Sequence, residues 1–381
     1  MFMNFKIYVP SVGDGLSAGI QNGPGGRKIL LDCGSQQGGD IPYQKGMCCF
    51  SPDVFILSHF HTDHYNGLFA AKKNKRKFSI QDVIFPVIPE FNGCEELVMC
   101  MMAMNFRLLG DTSGSMEYDF LSVIREISST SFKYHAVSKG DVISVDGSNF
   151  KILWPPNYIK NNNFVSSVKK AIEKFNAAKQ IDPILRVIYE VIFFTMTANR
   201  FEYLFGTNHH DRLIPLNGDS GDNLVYEKHD SKLTLSDDAG GKGKSNYPCA
   251  VPKETSIANK ALRGVANRIS LAFMGCDMLF MGDLEANEIN IVVNELNVLG
   301  KNDFHVMIAP HHGTHWGHGM CKLNADIVVS SVGKKLCGKV KPAFRNISKK
   351  HHITYFCGDF DSSMDRGMHS CPFRFCLTLN P

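Results

Sequence analysis

The sequence predicts an α/β protein, and three observations carry that expectation. Apolar runs of strand length end at an acid or a histidine beside a turn in both halves of the chain: residues 28–31 before Asp32-Cys33-Gly34, residues 54–57 before Ser58-His59, and residues 278–281 before Gly282-Asp283. Other segments carry apolar residues at helical spacing, among them residues 95–109 and the series Phe164, Val168, Ala171, Ile172 and Phe175. With 381 residues, 44% of them hydrophobic, the chain can bury a substantial core as one large or two ordinary domains.

In chain order, residues 5–9 read as a first strand and 11–15 as a turn. Residues 18–21 and 28–31 pair as a hairpin closed by Asn22-Gly23-Pro24-Gly25-Gly26, where glycines accept the backbone angles of a tight reversal. Residues 81–86 read as a strand, 95–109 as a helix whose Met and Leu residues are core, and 116–127 as a second helix. Residues 140–147 and 150–154 are two short strands stopped by Pro155-Pro156. Asp182-Pro183 supplies an N-cap and first position for a helix to about residue 198. Residues 206–256 are rich in Gly, Asn, Asp, Ser and Lys, and a loop of that length is disordered or functional. Strands are expected at 267–273, 278–281, 304–309 and 325–329, with residues 351–352 and 371–379 in a closing helix and strand.

The chemistry concentrates in Ser58-His59-Phe60-His61-Thr62-Asp63-His64, which follows a buried strand and precedes Gly67. His59 and His61 are two apart, so both rings can lean toward one ion where the strand frays into a loop. Asp63 and His64 come a turn later and can face a second ion. Neutral imidazoles suit Zn²⁺ or Mn²⁺, and the carboxylate adds a hard oxygen. Two such ions roughly 3.5–4 Å apart can acidify a shared water and clamp a phosphoryl or carbonyl oxygen.

This H-x-H-x-D-H loop resembles the signature of the metallo-β-lactamase superfamily. The resemblance implies a four-layer αββα sandwich with a dinuclear site at one edge. Residues 11–34 further resemble the opening of the hydrolase domain of ComEC-type DNA-uptake competence proteins, departing where Ser11 and Leu16 stand in place of acids. By that resemblance Asp32 lies beneath the metal loop and orients it, and Asp283 bridges the two ions. One of His311 and His312 holds the second ion, and the other holds substrate or the metal centre. The passage ending Ser330-Ser331-Val332-Gly333 matches the family's S-x-G, which makes Ser331 a candidate substrate contact. Lys341 replaces a family histidine and is a plausible phosphate contact. A further histidine at the first ion has no evident counterpart. Glu285 reads as a first-turn acid of a helix, and His315 and His318 as solvent or phosphate contacts.

Several features exclude other classes. The net charge of +4 does not argue for nucleic acid on electrostatics alone, though it does not oppose an anionic substrate. The twelve cysteines lack framework spacing and read as reduced thiols of a cytoplasmic protein. The opening residues lack the basic-then-apolar pattern of a signal peptide, and the apolar stretch 184–205 is broken by Arg186, Glu190, Arg200 and Glu202, so no membrane span is expected. The basic run at 72–77 reads as a solvated helix end, and His209, His210 and Asp211 as polar surface residues.

The expectation is therefore an αββα hydrolase in two halves, 1–156 and 261–381, split by a helical and polar insertion at 157–260 that serves as a lid or a protein-partner surface. Two divalent ions, Zn²⁺ or Mn²⁺, would be held by His59, His61, Asp63, His64, Asp283, His311 and His312, with Asp63 also accepting a proton. The favoured substrate is a DNA, RNA or nucleotide phosphodiester. The alternatives are a small ester, lactone or nucleotide messenger, or a non-catalytic or partner-regulated binding subunit.

Overall fold

The structure, a computed structural model, describes residues 5–91, 93–109, 116–117, 120–195, 213–216, 232–233 and 250–363. The apolar runs of the first half form β1 (Phe5–Val9), β2 (Gly15–Asn22), β3 (Lys28–Ser35), β4 (Val54–Ile56), β5 (Asp82–Pro86) and, beyond the short β6 (Met116–Glu117), β7 (Lys133–Val137). The rest of the chain adds β8 (Val142–Val145), β9 (Ser148–Trp154), β10 (Leu213–Pro215), β11 (Lys232–Leu233), β12 (Ala272–Gly275), β13 (Met278–Phe280), β14 (Asp303–Ile308), β15 (Asn324–Ser330), β16 (Ser348–Ile353) and β17 (Phe360–Asp361). A seven-stranded sheet runs β17-β1-β2-β3-β4-β5-β7, and an eight-stranded sheet runs β10-β8-β9-β12-β13-β14-β15-β16. Both sheets are mixed: β3, β4, β5 and β7 are parallel in the first, and β13 to β16 in the second.

Side-chain alternation explains how the sheets stack. In β3, Ile29 and Leu31 face the second sheet while Leu30 faces outward, and in β4 Val54 and Ile56 face inward while Phe55 faces outward. The inner layer closes with Phe150, Ile152, Phe273, Phe280 and Ile308 from the second sheet. Each such fully buried large side chain contributes about 1.5–3 kcal/mol relative to exposure.

Helices cover both outer faces. They are α1 (Asp40–Pro42), α2 (Asn66–Lys73), α3 (Cys94–Leu109) and α4 (Phe120–Ile127), then α5 (Asn162–Ile181), α6 (Pro183–Thr195), α7 (Lys253–Asn267), α8 (Ala286–Val298) and α9 (Thr354–Cys357). Leu68 and Phe120 pack on the side of Phe55 and Phe85, and Leu262, Ile289 and Val292 belong to the apolar cluster that also holds Leu279 and Met307. The result is the four-layer αββα arrangement. No helix among the described residues is long and apolar enough to cross a membrane.

Some elements differ from the sequence reading. The helix expected from residue 116 begins at Phe120, because Met116–Glu117 pairs instead with Lys232–Leu233. The strand expected from residue 267 begins at Ala272. Ala258, Leu262, Val265 and Ala266 keep helical burial through Asn267, and three turn bonds, from Arg268, Ile269 and Ser270 to carbonyls three residues back, end the helix. α7 thus runs across position 260. Residues 351–352 lie in β16 rather than in a helix, and residues 371–379, 196–198 and 209–211 lie outside the described residues.

The two helices at 157–195 pack into the body of the protein. Phe164, Val168 and Phe175 of α5 share one apolar cluster with Leu262 and Val265 of α7. Asp182 caps α6 by accepting from Leu185 N at 3.1 Å, and the same carboxylate binds Arg107 Nε at 2.9 Å and Thr255 Oγ1 at 2.9 Å. That one buried acid ties α3, α6 and α7 together.

Candidate metal centre

Every candidate ligand sits at the carboxyl end of a parallel strand, the edge at which α/β sheets open their crevices. The loop carrying His59, His61, Asp63 and His64 follows β4, Asp283 follows β13, and His311 and His312 follow β14. Leu271 N donates to Ser58 O at 2.7 Å, which pins the loop from the first sheet to the second.

Asp32 builds the floor. It is fully buried within β3, one residue past the last pair with β4, and holds φ of 55° with its carboxylate under the loop. Oδ1 accepts from Ser58 N at 2.7 Å, while Oδ2 lies 2.6 Å from the Ser58 hydroxyl and 2.7 Å from His64 Nδ1. With Nδ1 committed, His64 turns Nε2 toward Asp283 Oδ2, 3.5 Å away. Close approach completes the floor: a Cβ on Gly34 would lie 2.2 Å from Asp63 O, so only glycine lets β3 run beneath the loop.

Asp283 is the convergence point. Its Oδ2 lies 3.9 Å from His59 Nε2, 3.8 Å from His311 Nε2 and 3.7 Å from His312 Nε2. Donor atoms of His59, His64 and Asp283 all lie within 4.8 Å of one another. The spacing argument paired His59 with His61 and Asp63 with His64; in the fold the His59 and His64 rings approach to 4.0 Å and share Asp283, while His61 Nδ1 lies 2.7 Å from His59 Nε2. His312 is buried, whereas the His311 side chain keeps 21% of its surface exposed. Both adopt left-handed backbone angles, φ of 48° and 60°, where Pro310 and Gly313 bracket a tight turn.

The electrostatics favour a cation. Burial, with His64 and His61 nearby, holds His59 well below 6.5, and burial with Arg263 and His64 does the same to His61. Both imidazoles are therefore neutral donors. Burial opposes the charge on Asp63 and Asp283, yet His64 and Arg263 keep Asp63 below its ordinary value, and His312, His311 and His64 keep Asp283 well below its own. Burial also opposes a proton on His64, but Asp283 and Asp32 outweigh it and raise its pKa. His61 Nε2 and Asp63 Oδ1 are buried with no hydrogen-bond partner, an arrangement that costs free energy unless something ligates them. The neutral imidazoles of His59 and His61, the ionised carboxylates of Asp63 and Asp283 and the orphaned buried atoms fit a divalent cation, which would take the place of the proton that Asp283 and Asp32 favour on His64.

Sequence reasoning missed four contributors. Arg263 of α7 donates to Asp63 Oδ2 at 2.8 Å. Asn267 places its amide 3.3 Å from His311 Nδ1 and 3.4 Å from Glu285 Oε1. Glu285 stands at the N-cap position of α8 but makes no capping bond; its carboxylate faces His315 Nδ1 at 3.4 Å. Asp14, fully buried, accepts from Gly333 N, Lys335 N and Leu336 N at 2.9, 3.2 and 3.0 Å and fixes the loop after β15. An acid set between Gly13 and Gly15 was the available signal for Asp14; the polar residues of α7 carried none.

The two candidate substrate contacts part company. Ser331 is buried and donates to Gly15 O at 2.8 Å, so its hydroxyl joins the halves of the protein rather than facing a ligand. Lys341 is exposed, anchored by its N–H to Gly313 O at 2.8 Å, and lines a groove of about 900 Å³ with His311, His315, Lys339, Arg345 and Phe356.

The sandwich and the converged cluster define the class, an αββα protein with a candidate metal centre at the carboxyl ends of its strands. No family model and no curated protein matches the chain. Among solved structures, it is similar to the metallo-β-lactamase fold protein YhfI from Bacillus subtilis, at 7% identity and TM-score 0.37 over 93% of this chain and 99% of that one. It is similar to MEM-A1, a subclass B3 metallo-β-lactamase from a soil metagenome library, at 16% identity and TM-score 0.23 over 40% of this chain and 50% of that one. It is also similar to a long form RNase Z from yeast, at 9% identity and TM-score 0.34 over 94% of this chain and 42% of that one.

Proposed function

We propose that the protein is a metal-dependent hydrolase of phosphodiesters in nucleic acids or nucleotides. The observation that carries this reading is the groove beside His311. Its rim presents Lys339, Lys341 and Arg345, and no carboxylate lines it among the described residues. Such a wall favours an anionic substrate over a neutral ester or lactone.

His59, His61, Asp63, His64, Asp283 and His312 would hold the cations. When bound, divalent ions supply Lewis acidity, polarising a phosphoryl oxygen and acidifying water. The chain's own residues do the rest. Asp32 fixes the ring of His64 through Nδ1, and Asp283 draws the donors of both halves together. Asp63 stays ionised, with Oδ2 held by Arg263 and the unpartnered Oδ1 left to meet a cation and to take a proton from water beside it. Lys341 and Arg345 bind and orient the phosphate oxygens, and the basic rim attracts the polyanion.

A non-catalytic binding subunit is the second reading. Arg263 favours it, because a guanidinium already meets one Asp63 oxygen.

Metal analysis of the purified chain, with turnover of single-stranded and duplex DNA, RNA, cyclic nucleotides and a chromogenic phosphodiester, tests both readings. Loss of a general base lowers rates by about 10²–10⁴-fold, and Asp63→Ala should show at least that. Equal turnover by wild type and variant overturns the hydrolase reading.

A further inference from the structure

We propose that Glu285, His311 and His315 form a second cation site behind the groove wall, adjoining the cluster around Asp283 through His311 and taking an ion of the Zn²⁺ class. Donor atoms of these three side chains all lie within 4.8 Å of one another. Two imidazoles and a carboxylate are a borderline donor set that suits Zn²⁺ and Co²⁺, and three protein ligands leave a coordination position open.

Three features of the chain prepare the site. Glu285 occupies the N-cap position of α8, where an acid ordinarily bonds the helix N–H groups, yet it makes no such bond and faces His315 Nδ1 at 3.4 Å. His311 and His315 bring their Nδ1 atoms to 2.9 Å with ring centroids 3.8 Å apart. Leu284 O lies 3.2 Å from His315 Nδ1, which places the shared proton on His315 and leaves the lone pair of His311 Nδ1 facing into the site. Asn267 spans two of the donors, with its Nδ2 3.4 Å from Glu285 Oε1 and 3.3 Å from His311 Nδ1. An amide placed between two prospective ligands orients both.

The turn that carries the histidines is itself held rigidly. His311 N donates to Gly282 O at 2.8 Å, and His311 O accepts from Thr314 N at 3.0 Å and from Thr314 Oγ1 at 2.7 Å. His311 therefore presents Nε2 toward Asp283 and Nδ1 toward His315, while the buried His312 serves Asp283 from inside. His311 and His315 both line the groove that holds Lys341 and Arg345. A cation there would add positive charge to the wall against which an anionic ligand lies.

The test measures metal, not turnover. Chelator-stripped full-length protein is titrated with Co²⁺, following its visible absorption, and metal content after Zn²⁺ loading and dialysis is read by mass spectrometry. Wild type, Glu285→Gln, His315→Asn and His59→Asn are compared, with near-ultraviolet circular dichroism as the control for folding. Glu285→Gln and His315→Asn should each lose about one equivalent and part of the Co²⁺ band while keeping the remainder, since ligand identity and number set affinity. His59→Asn should lose metal from the other cluster and keep the band removed by His315→Asn. Unchanged stoichiometry and spectrum in both groove variants overturn the proposal, and so does an anomalous Zn²⁺ peak at Asp283 with none between His311 and His315. Retention of all metal by His59→Asn, with loss in the groove variants, would sink the Asp283 centre and leave this site standing.

Discussion

Asp32 Oδ2 and His64 Nδ1 lie 2.7 Å apart with both side chains excluded from solvent. The contact joins β3 to the loop after β4 and decides which nitrogen of His64 is presented to Asp283. Asp32→Asn keeps the shape but puts a donor where Oδ2 accepts from Ser58 and His64, which favours the His64 tautomer with its proton on Nε2, the nitrogen turned toward Asp283. Partners that orient a ligand are worth about 10–100-fold in metal affinity, so the variant should bind Zn²⁺ that much more weakly in competition with a chromophoric chelator. Affinity equal to wild type would show that Asp32 supports the loop without serving the centre.

Arg263 and Asp63 form the next relationship, at 2.8 Å across the helix and loop. In stripped protein the guanidinium, together with His64, offsets the buried carboxylate and is the group bonded to it. Arg263→Ala should therefore cost about 1–3 kcal/mol in urea unfolding without metal, the ordinary consequence of leaving a buried group unpaired. With Zn²⁺ present the loss should shrink, because a bound cation compensates the same charge. Equal losses in the two conditions would place Asp63 outside the reach of any ion.

What was legible in the sequence follows from where each residue sits. His59, His61, Asp63, His64 and Asp283 stand immediately after apolar runs, and a strand that stops in a buried loop leaves few uses for such side chains. Asn267 and Arg263 were hidden because an amphipathic helix shows which positions are apolar but not which polar residues turn inward; Asn267 was even expected at the start of a strand. Glu285 looked like an acid complementing a helix dipole, and only its unbonded N-cap position and the neighbouring His315 reveal another orientation. Ser331 matched a motif, yet burial directs its hydroxyl to Gly15.

Asp14 carries the loop that ends in Lys341. Its carboxylate collects three backbone N–H groups, and Gln37 Nε2 donates to it at 2.7 Å. Asp14→Ala strands Gly333 N in a buried place and leaves Lys335 N and Leu336 N to water, and an unsatisfied buried group costs about 1–3 kcal/mol. The variant should melt well below wild type and, where it still folds, bind a phosphodiester more weakly with the Zn²⁺ content of the Asp283 cluster unchanged. A variant as stable as wild type would show that water replaces the carboxylate.

Gly34 makes a sharper separation of fold from site. A methyl group there would meet Asp63 O at 2.2 Å and His64 N at 2.5 Å, so Gly34→Ala must displace the loop. Overpacking of this kind costs about 1–3 kcal/mol. Zn²⁺ affinity should fall more steeply than stability, because the displaced atoms belong to the ligands themselves. Calorimetric titration beside thermal melting reads both, and unaltered Zn²⁺ binding would mean that the loop yields without moving its side chains.

His351 gives the protein an acid sensitivity outside the Asp283 cluster, on the groove that His311 and His315 also line. It is largely buried on β16, with Nε2 2.9 Å from Ser330 Oγ and no hydrogen-bond partner for Nδ1. Burial, helped by Arg345 and His352, holds its pKa at about 4 against an ordinary 6.5. Between those values the unfolded chain binds a proton that the folded chain refuses, so the contribution is fully present above 6.5 and is lost as pH falls toward about 4. The whole span is worth at most about 3 kcal/mol. In His351→Leu the side chain no longer titrates and the Ser330 bond is lost, so stripped variant should be less stable than wild type near neutrality but fall less steeply toward about pH 5. Urea unfolding of both stripped proteins across that range measures the difference in slope, and parallel curves would show that the imidazole is charged in the folded protein.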